Sequence, residues 1–162
     1  MRNAVIVDTS IAIKWVLREN DSKTAFDMLT DWNARGVMLL VPILLAYEAA
    51  NVLYRSARRG EITFERAKEA FAEILLAGLK FDFSSNLAFS MRAIELAGQY
   101  DLPAAYDAHY LALAEREGCE LWTADTRLWN SIKGKFSWAR WIGDYQPTNQ
   151  HTSPNESGSS NP

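Results

Sequence analysis

The 162-residue sequence contains a single cysteine, Cys119, and no hydrophobic run long enough to cross a membrane. One cysteine cannot form an intrachain disulfide, and this agrees with a reducing compartment. The longest apolar run, residues 37–47, is short and is interrupted by Pro42. The N-terminus reaches a charged residue too early for a signal peptide. We therefore expect a cytoplasmic protein with no membrane-spanning segment.

Several catalytic signatures are also missing from the sequence. It has no glycine-rich phosphate loop, no Cys/His spacing typical of zinc sites and no Gly-x-Ser-x-Gly motif. These absences disfavour nucleotide-binding folds, zinc enzymes and α/β hydrolases. The formal charge of -3 and the pI near 5.4 provide no overall attraction to polyanions. A role on nucleic acid would therefore need local basic residues.

The sequence does contain enough apolar material for one core. Hydrophobic residues make up 48% of the chain, and no segment before the C-terminus is depleted in them. From residue 146 onward, Ser, Asn, Pro and Gly dominate and almost nothing can be buried. We expect one globular domain over residues 1–145 and a disordered tail over residues 146–162.

Short β-rich runs alternate with longer stretches of helical period. The predicted strands cover residues 5–7, 37–41, 79–83, 121–123 and 136–141. The predicted helices cover residues 22–35, 43–59, a stretch that opens at Thr63, 86–99 and 103–117, and Gly118 follows the last of them. This alternation predicts an α/β fold with a mainly parallel central sheet of about five strands, flanked by helices on both faces.

Two acids follow predicted strands. Asp8 ends the first strand and Asp125 ends a later one, and ligands of parallel sheets bind at the carboxyl ends of the strands. On its own, this stretch is better explained by Asp8 or Ser10 as the cap of a following helix, because their side-chain oxygens accept hydrogen bonds from unpaired backbone N–H groups.

Two further acids lie within apolar helical segments. Glu48 shares a helix face with Asn51 and Arg55, so an ion pair with Arg55 or a position in solvent is the alternative to a functional role. Asp107 near the start of its helix is also explained by the helix dipole. His109, two residues later, points to the other side of the helix and is interpreted as a surface or hydrogen-bonded histidine. Carboxylates without soft ligands suit Mg²⁺ or Mn²⁺.

Taken together, four segments resemble the PIN-domain ribonucleases, and among them the VapC toxins of toxin-antitoxin pairs. The segments are VIVDTSIAIKW, LLAYEAANVLYR, AAYDAHYLALAE and LWTADTRLW, and in this order they cover roughly residues 3–143.

The resemblance implies a PIN-like fold and a catalytic site. Asp8, Glu48, Asp107 and Asp125 fall on the acidic quartet of the family, which implies that they hold Mg²⁺ or Mn²⁺ for the hydrolysis of RNA phosphodiester bonds. Ser10 and Thr123 match small hydroxyl positions beside the quartet, with Thr9 and Ser10 expected to orient Asp8 and Asn51 to support the site. The same resemblance implies a homodimer and a small antitoxin protein as partners.

Basic residues near these acids are candidate contacts to RNA phosphates. Lys14 follows the first acid and Arg55 shares a face with Glu48. Two other classes stay open. One is a PIN-like module that binds RNA or protein without catalysis. The other is a phosphohydrolase with an aspartyl nucleophile, which is disfavoured because that class has a second Asp where this chain has Ser10.

Overall fold

The structure, a computed structural model, describes residues 3–84 and 87–147. Five strands lie in the order of the sequence at β1 (Ala4–Val7), β2 (Met38–Pro42), β3 (Leu79–Asp82), β4 (Glu120–Thr123) and β5 (Ala139–Trp141). The helices are α1 (Thr9–Lys14), α2 (Ser22–Ala34), α3 (Leu44–Arg58), α4 (Phe64–Leu76), α5 (Leu87–Tyr100), α6 (Ala105–Glu117) and α7 (Thr126–Ile132). A 3₁₀ turn at Ile142–Asp144 follows β5. Except for Gln146 and Pro147, the predicted tail lies outside the described residues.

The strands form one parallel sheet in the order β3-β2-β1-β4-β5. Helices α1 to α4 lie in the connections from β1 to β2 and from β2 to β3, and α5 to α7 lie in the connections from β3 to β4 and from β4 to β5. The first two connections step across the sheet in one direction, and the last two step in the other. Because crossovers between parallel strands are right-handed, the two sets of helices cover opposite faces. The predicted α/β fold is therefore confirmed. The direction of stepping reverses between β1 and β4, so the carboxyl ends of these two strands form a crevice where ligands bind in such sheets.

The core lies on both faces of the central strands. All four residues of β1 are buried, as expected for a strand in the middle of a covered parallel sheet. Helix α6 packs across β1, β2 and β4, and its buried residues include Tyr110 and Leu111. Of the aromatic residues in the helices, Trp32 is buried and Phe64 is 56% exposed. No helix in the described ranges combines the length and the apolar character of a membrane span.

Two of the observed helices are not among those that apolar periodicity predicts. Helices α1 and α7 have six and seven residues, so they are too short to show a repeating apolar face. Each begins directly after an acid: the Asp8 carboxylate accepts from the N–H of Ile11, and the Asp125 carboxylate accepts from the N–H groups of Arg127 and Leu128. The capping interpretation of Asp8 is therefore confirmed, and it leaves the rest of the carboxylate available for other contacts.

Candidate active site

A cavity of about 860 Å³ opens at the carboxyl ends of β1 and β4. The predicted site residues that line it are Ser10, Lys14, Glu48, Asn51, Arg55, Asp107 and Asp125. Two predicted residues, Asp8 and Thr123, lie behind the cavity wall, 5% and 0% exposed. The fold thus brings together, at one crevice, acids that are as far as 117 positions apart in the chain.

Asp8 is held by hydroxyl groups. The Ser10 hydroxyl donates to Oδ1 and the Thr123 hydroxyl donates to Oδ2. The same two side chains accept backbone N–H groups of the β4–α7 loop, Ser10 from Ala124 at 2.8 Å and Thr123 from Asp125 at 3.0 Å. Burial raises the pKa of Asp8 to about 7, although these hydrogen bonds favour the charged form. Asp8 therefore links the ends of β1 and β4.

Glu48 is held by a different pair of hydroxyls. The Tyr110 hydroxyl donates to Glu48 Oε1 at 2.6 Å, and the Thr9 hydroxyl lies 3.2 Å from the same oxygen. Burial raises the pKa of Glu48 above its ordinary value. The proposed pairing of Glu48 with Arg55 is not found. The expectation that Thr9 orients Asp8 is also wrong, because the Thr9 hydroxyl contacts Glu48 on α3 and Tyr110 on α6 instead of the Asp8 carboxylate.

Asp107 and Asp125 complete the acidic wall. Asp107 lies in the first turn of α6, and none of the described residues donates a hydrogen bond to it. Burial raises its pKa to about 6, and the charges of Asp125 and Glu48 add to the shift. The nearest cation to Asp125 is Arg127, whose Nη2 lies 3.8 Å from Oδ2. The acids thus repel one another and have little compensation from basic groups.

The donor set fits a hard divalent cation, because every candidate ligand is a carboxylate oxygen and the local charge is negative. Over the described ranges, no three His, Cys, Asp or Glu side chains stand close enough to hold an ion as placed. The acids therefore surround a cavity and do not form a compact cluster.

The basic residues at the cavity differ in their pairing. Lys14 Nζ lies 3.2 Å from Glu19 Oε2, so its charge is already partly neutralised. None of the described residues accepts a hydrogen bond from the Arg55 guanidinium, which lines the cavity from α3. Arg127 also lines it and was not predicted. As expected, His109 is hydrogen-bonded elsewhere, with Nδ1 2.8 Å from the Ala105 carbonyl oxygen.

Sequence reasoning missed Tyr110 as a part of this site. Its side chain is 1% exposed, and burial raises its pKa well above the ordinary value, so its hydroxyl remains a donor. A signal existed in the sequence, because Tyr110 follows Asp107 by three residues and therefore shares its face of the helix.

Solved structures with this fold are known. PAE2754 from Pyrobaculum aerophilum aligns with a TM-score of 0.65 and 24% sequence identity over 88% of this chain and 93% of its own. VapC20 from Mycobacterium tuberculosis, described as a sarcin-ricin loop cleaving toxin, aligns with a TM-score of 0.60 and 17% identity over 78% of this chain and 94% of its own. A search of curated proteins found no match.

The family comparison covers most of the chain. The family model of the PIN domain matches residues 5–134, a range that begins at the second residue of β1 and includes all four acids of the site. It also contains Ser10 and Thr123, which hold the first of these acids. The chain belongs to the PIN domain family.

Proposed function

We propose that the protein is a metal-dependent endoribonuclease that hydrolyses RNA phosphodiester bonds. The observation that carries this proposal is the acidic wall formed by Glu48, Asp107 and Asp125, which lacks strong compensation from basic groups. Membership of the PIN domain family, a family of nucleases, supports the same reaction class. Repulsion among such acids is unfavourable in the metal-free protein, and a divalent cation relieves it.

Four acids of this chain would bind the divalent cation. Glu48, Asp107 and Asp125 would hold Mg²⁺ or Mn²⁺ from the cavity wall, and Asp8 would hold it from behind, with its carboxylate fixed by Ser10 and Thr123. When bound, the ion lowers the pKa of a water molecule and neutralises charge on the leaving oxygen.

Substrate binding would fall to the cationic and polar groups of the same cavity. Arg55 is the best placed phosphate contact, because no described residue accepts a hydrogen bond from it. Lys14 would contribute less, since Glu19 holds its ammonium group. Asn51, which is exposed one turn after Glu48 on α3, would support the substrate by hydrogen bonding.

We also propose that the protein acts as a cytoplasmic toxin controlled by an antitoxin. VapC20, which shares the fold, is described as a toxin that cleaves the sarcin-ricin loop. The antitoxin would contact the exposed aromatic rings of Tyr54 and Phe64, which are 50% and 56% exposed, with their ring centroids 6.2 Å apart. A homodimer is the expected assembly. Light scattering measures it, and co-purification with the product of a neighbouring short reading frame tests the antitoxin.

The reaction is tested with purified protein and structured RNA, including tRNA and ribosomal RNA. Discrete fragments in Mg²⁺ or Mn²⁺ that disappear in EDTA support the proposal, and Glu48→Gln should remove them. RNA binding without fragments under all conditions would instead support a non-catalytic PIN-like module. Cleavage that persists in EDTA would exclude the metal-dependent reaction.

The phosphohydrolase alternative loses support from the position of Asp8. That class of enzyme has a second Asp two residues after its nucleophile, where this chain has Ser10, and the Ser10 hydroxyl instead fixes Asp8 by donating to Oδ1. Failure to form a phosphorylated protein with acyl phosphates would complete this exclusion.

A further inference from the structure

A chain of buried hydroxyl groups connects three elements of the cavity. Thr9 begins α1, Tyr110 lies in the second turn of α6 and Glu48 lies on α3. The hydroxyl oxygens of Thr9 and Tyr110 are 2.7 Å apart, and the Tyr110 hydroxyl is 2.6 Å from Glu48 Oε1. Thr9 and Tyr110 are 8% and 1% exposed, so solvent does not replace either contact.

The hydroxyl protons restrict how these groups can bond. Each hydroxyl has one proton to donate, and ionised Glu48 only accepts. The shortest arrangement has Thr9 donating to Tyr110 and Tyr110 donating to Glu48 Oε1. The hydrogen bond from Tyr110 and the 3.2 Å approach of Thr9 both involve Oε1 of Glu48. Within the described ranges, no hydrogen bond reaches Oε2.

The hydroxyl chain also connects Glu48 to the segments that carry two other acids of the site. Thr9 directly follows Asp8, and Tyr110 follows Asp107 by one helical turn. The hydroxyl chain therefore fixes the helix that carries Glu48 against the segment that carries Asp8 and the helix that carries Asp107. Asp8 is attached separately to the loop after β4 through Ser10 and Thr123.

We propose that Tyr110 is a positioning residue that, supported by Thr9, fixes Glu48 Oε1 and leaves Oε2 for the divalent cation. This inference rests on the proposed metal site, and it adds two residues that do not themselves bind the ion. Partners that orient a ligating carboxylate typically change metal affinity by about 10-fold or more when they are removed. A buried tyrosine that served only packing would have no such effect, because phenylalanine fills nearly the same volume.

The test is the affinity for Mn²⁺, measured by calorimetry or electron paramagnetic resonance in the absence of RNA. Tyr110→Phe should raise the Kd for Mn²⁺ about 10-fold. Thr9→Val should raise it less, and Thr9→Ser, which keeps the hydroxyl, should bind like the wild type. In cleavage assays, excess Mg²⁺ should restore the kcat of Tyr110→Phe, with little change in the KM for RNA.

Tyr145→Phe is the matched control. Tyr145 is also largely buried, and its hydroxyl donates to the carboxylate of Asp31, away from the cavity. Both variants lose one phenol-carboxylate hydrogen bond, so both should lower the melting temperature in EDTA, but Tyr145→Phe should leave the Kd for Mn²⁺ unchanged. If Tyr110→Phe does not fold, Thr9→Val compared with Thr9→Ser carries the test.

The outcomes separate this inference from the proposed function. Unchanged Mn²⁺ affinity in Tyr110→Phe and Thr9→Val would overturn the positioning role and leave the nuclease proposal intact. If Tyr110→Phe binds Mn²⁺ more weakly but the wild-type protein cleaves no RNA, the result would support the positioning role and count against the nuclease. A wild-type protein that binds no Mn²⁺ would overturn both.

Discussion

Asp107 is the acid of the cavity wall that has the least support from the surrounding protein. None of the described residues donates a hydrogen bond to it, and the charges of Asp125 and Glu48 both act against its ionisation. Asp8, by contrast, accepts from two hydroxyl groups, and Glu48 accepts from the hydroxyl of Tyr110, with Thr9 3.2 Å from the same oxygen. Asp107 is therefore the residue at which removal of charge should cost the metal-free fold least.

Asp107→Asn should separate stability from function. We expect the metal-free variant to gain about 1 kcal/mol in its free energy of unfolding at neutral pH, because one pKa unit corresponds to about 1.4 kcal/mol and the shift at this half-buried site is partly screened. Cleavage should be lost. The stabilisation by Mg²⁺, about 2.7 kcal/mol at a hundred times Kd for the wild type, should be much reduced, and with it the rise in melting temperature.

Thermal melts with EDTA and with Mg²⁺ measure both effects. Glu69→Gln, on the exposed side of α4 and 68% exposed, is the control and should change neither. An Asp107→Asn protein with wild-type cleavage and wild-type response to Mg²⁺ would contradict the role of Asp107 at the site.

The same acids predict how stability depends on pH. In the folded protein, burial raises the pKa of Asp8 from 3.8 to about 7 and that of Asp107 from 3.8 to about 6. The folded state therefore binds more protons than the unfolded state between these values. The stabilisation from these protons is complete below the unfolded pKa and is lost as the pH rises through about 6 and then about 7.

In EDTA, these two groups should therefore lower the free energy of unfolding between pH 5 and pH 8, and the gain from Mg²⁺ should be larger at pH 8. Denaturant titrations at the two pH values measure the change. Asp107→Asn should show a smaller decline, because it lacks one of the two groups. A decline of equal size in the wild type and in this variant would contradict the assignment.

At the scale of single elements, the helix ends do much of the positioning. Asp8 and Asp125 each cap a short helix, so the turn that starts α1 or α7 also aims an acid at the crevice. At its C-terminal end, α6 stops at Gly118, which has a φ of +64° and connects the helix to β4. This left-handed residue sets the direction in which the chain enters the strand that leads to Thr123 and Asp125.

Gly118→Ala should destabilise the protein by about 1 kcal/mol, because a residue with a Cβ is strained in the left-handed region. No atom lies within 4 Å of the added Cβ, so the cost comes from the backbone alone. Denaturant unfolding measures it, and the affinity for Mn²⁺ should not change.

Gly98→Ala is the matched comparison. Gly98 lies inside α5, has no positive φ and has equally open space around it. Here alanine should stabilise the protein by about 0.5–1 kcal/mol, because it is the better helix former. The same effect of both substitutions would contradict the conformational explanation.

At the scale of the whole molecule, the net charge must be reconciled with the proposed RNA substrate. The formal charge of -3 repels a polyanion, whereas one divalent ion would bring it to -1 and two would bring it to +1. Among the described residues, the cations that line the cavity are Lys14, Arg55 and Arg127, so the affinity for RNA should depend on specific contacts more than on the overall field.

Arg55→Gln should raise the KM for RNA several-fold and lower the salt dependence of binding by about one released counterion. The matched control is Arg59→Gln, because the Arg59 guanidinium is already held by both oxygens of Glu61. Steady-state cleavage at several salt concentrations measures the two variants. Equal effects at the two positions would indicate that neither residue makes a defined phosphate contact.

The sequence by itself determined the architecture and the identity of the acids. Alternating short apolar runs and helical periods predict a parallel α/β sheet, because strands covered on both faces need continuous apolar segments and the connections between them need helices. The predicted strand ends differ from the observed ones by three residues at most, at the start of β5. Asp8 and Asp125 can be recognised from the sequence because Asp8 directly follows a strand and Asp125 follows another after one residue.

Only the tertiary structure decided how each side chain at the site is bonded. Glu48 binds Tyr110 and Thr9 instead of Arg55, and Lys14 is occupied by Glu19 while Arg55 remains unpaired among the described residues. The Tyr110 contact joins residues 62 positions apart, and the Thr123 contact with Asp8 joins residues 115 positions apart. Local sequence determines helices and strands through backbone preferences, but such contacts depend on how these elements pack, and packing alone selects the carboxylate oxygen that stays free.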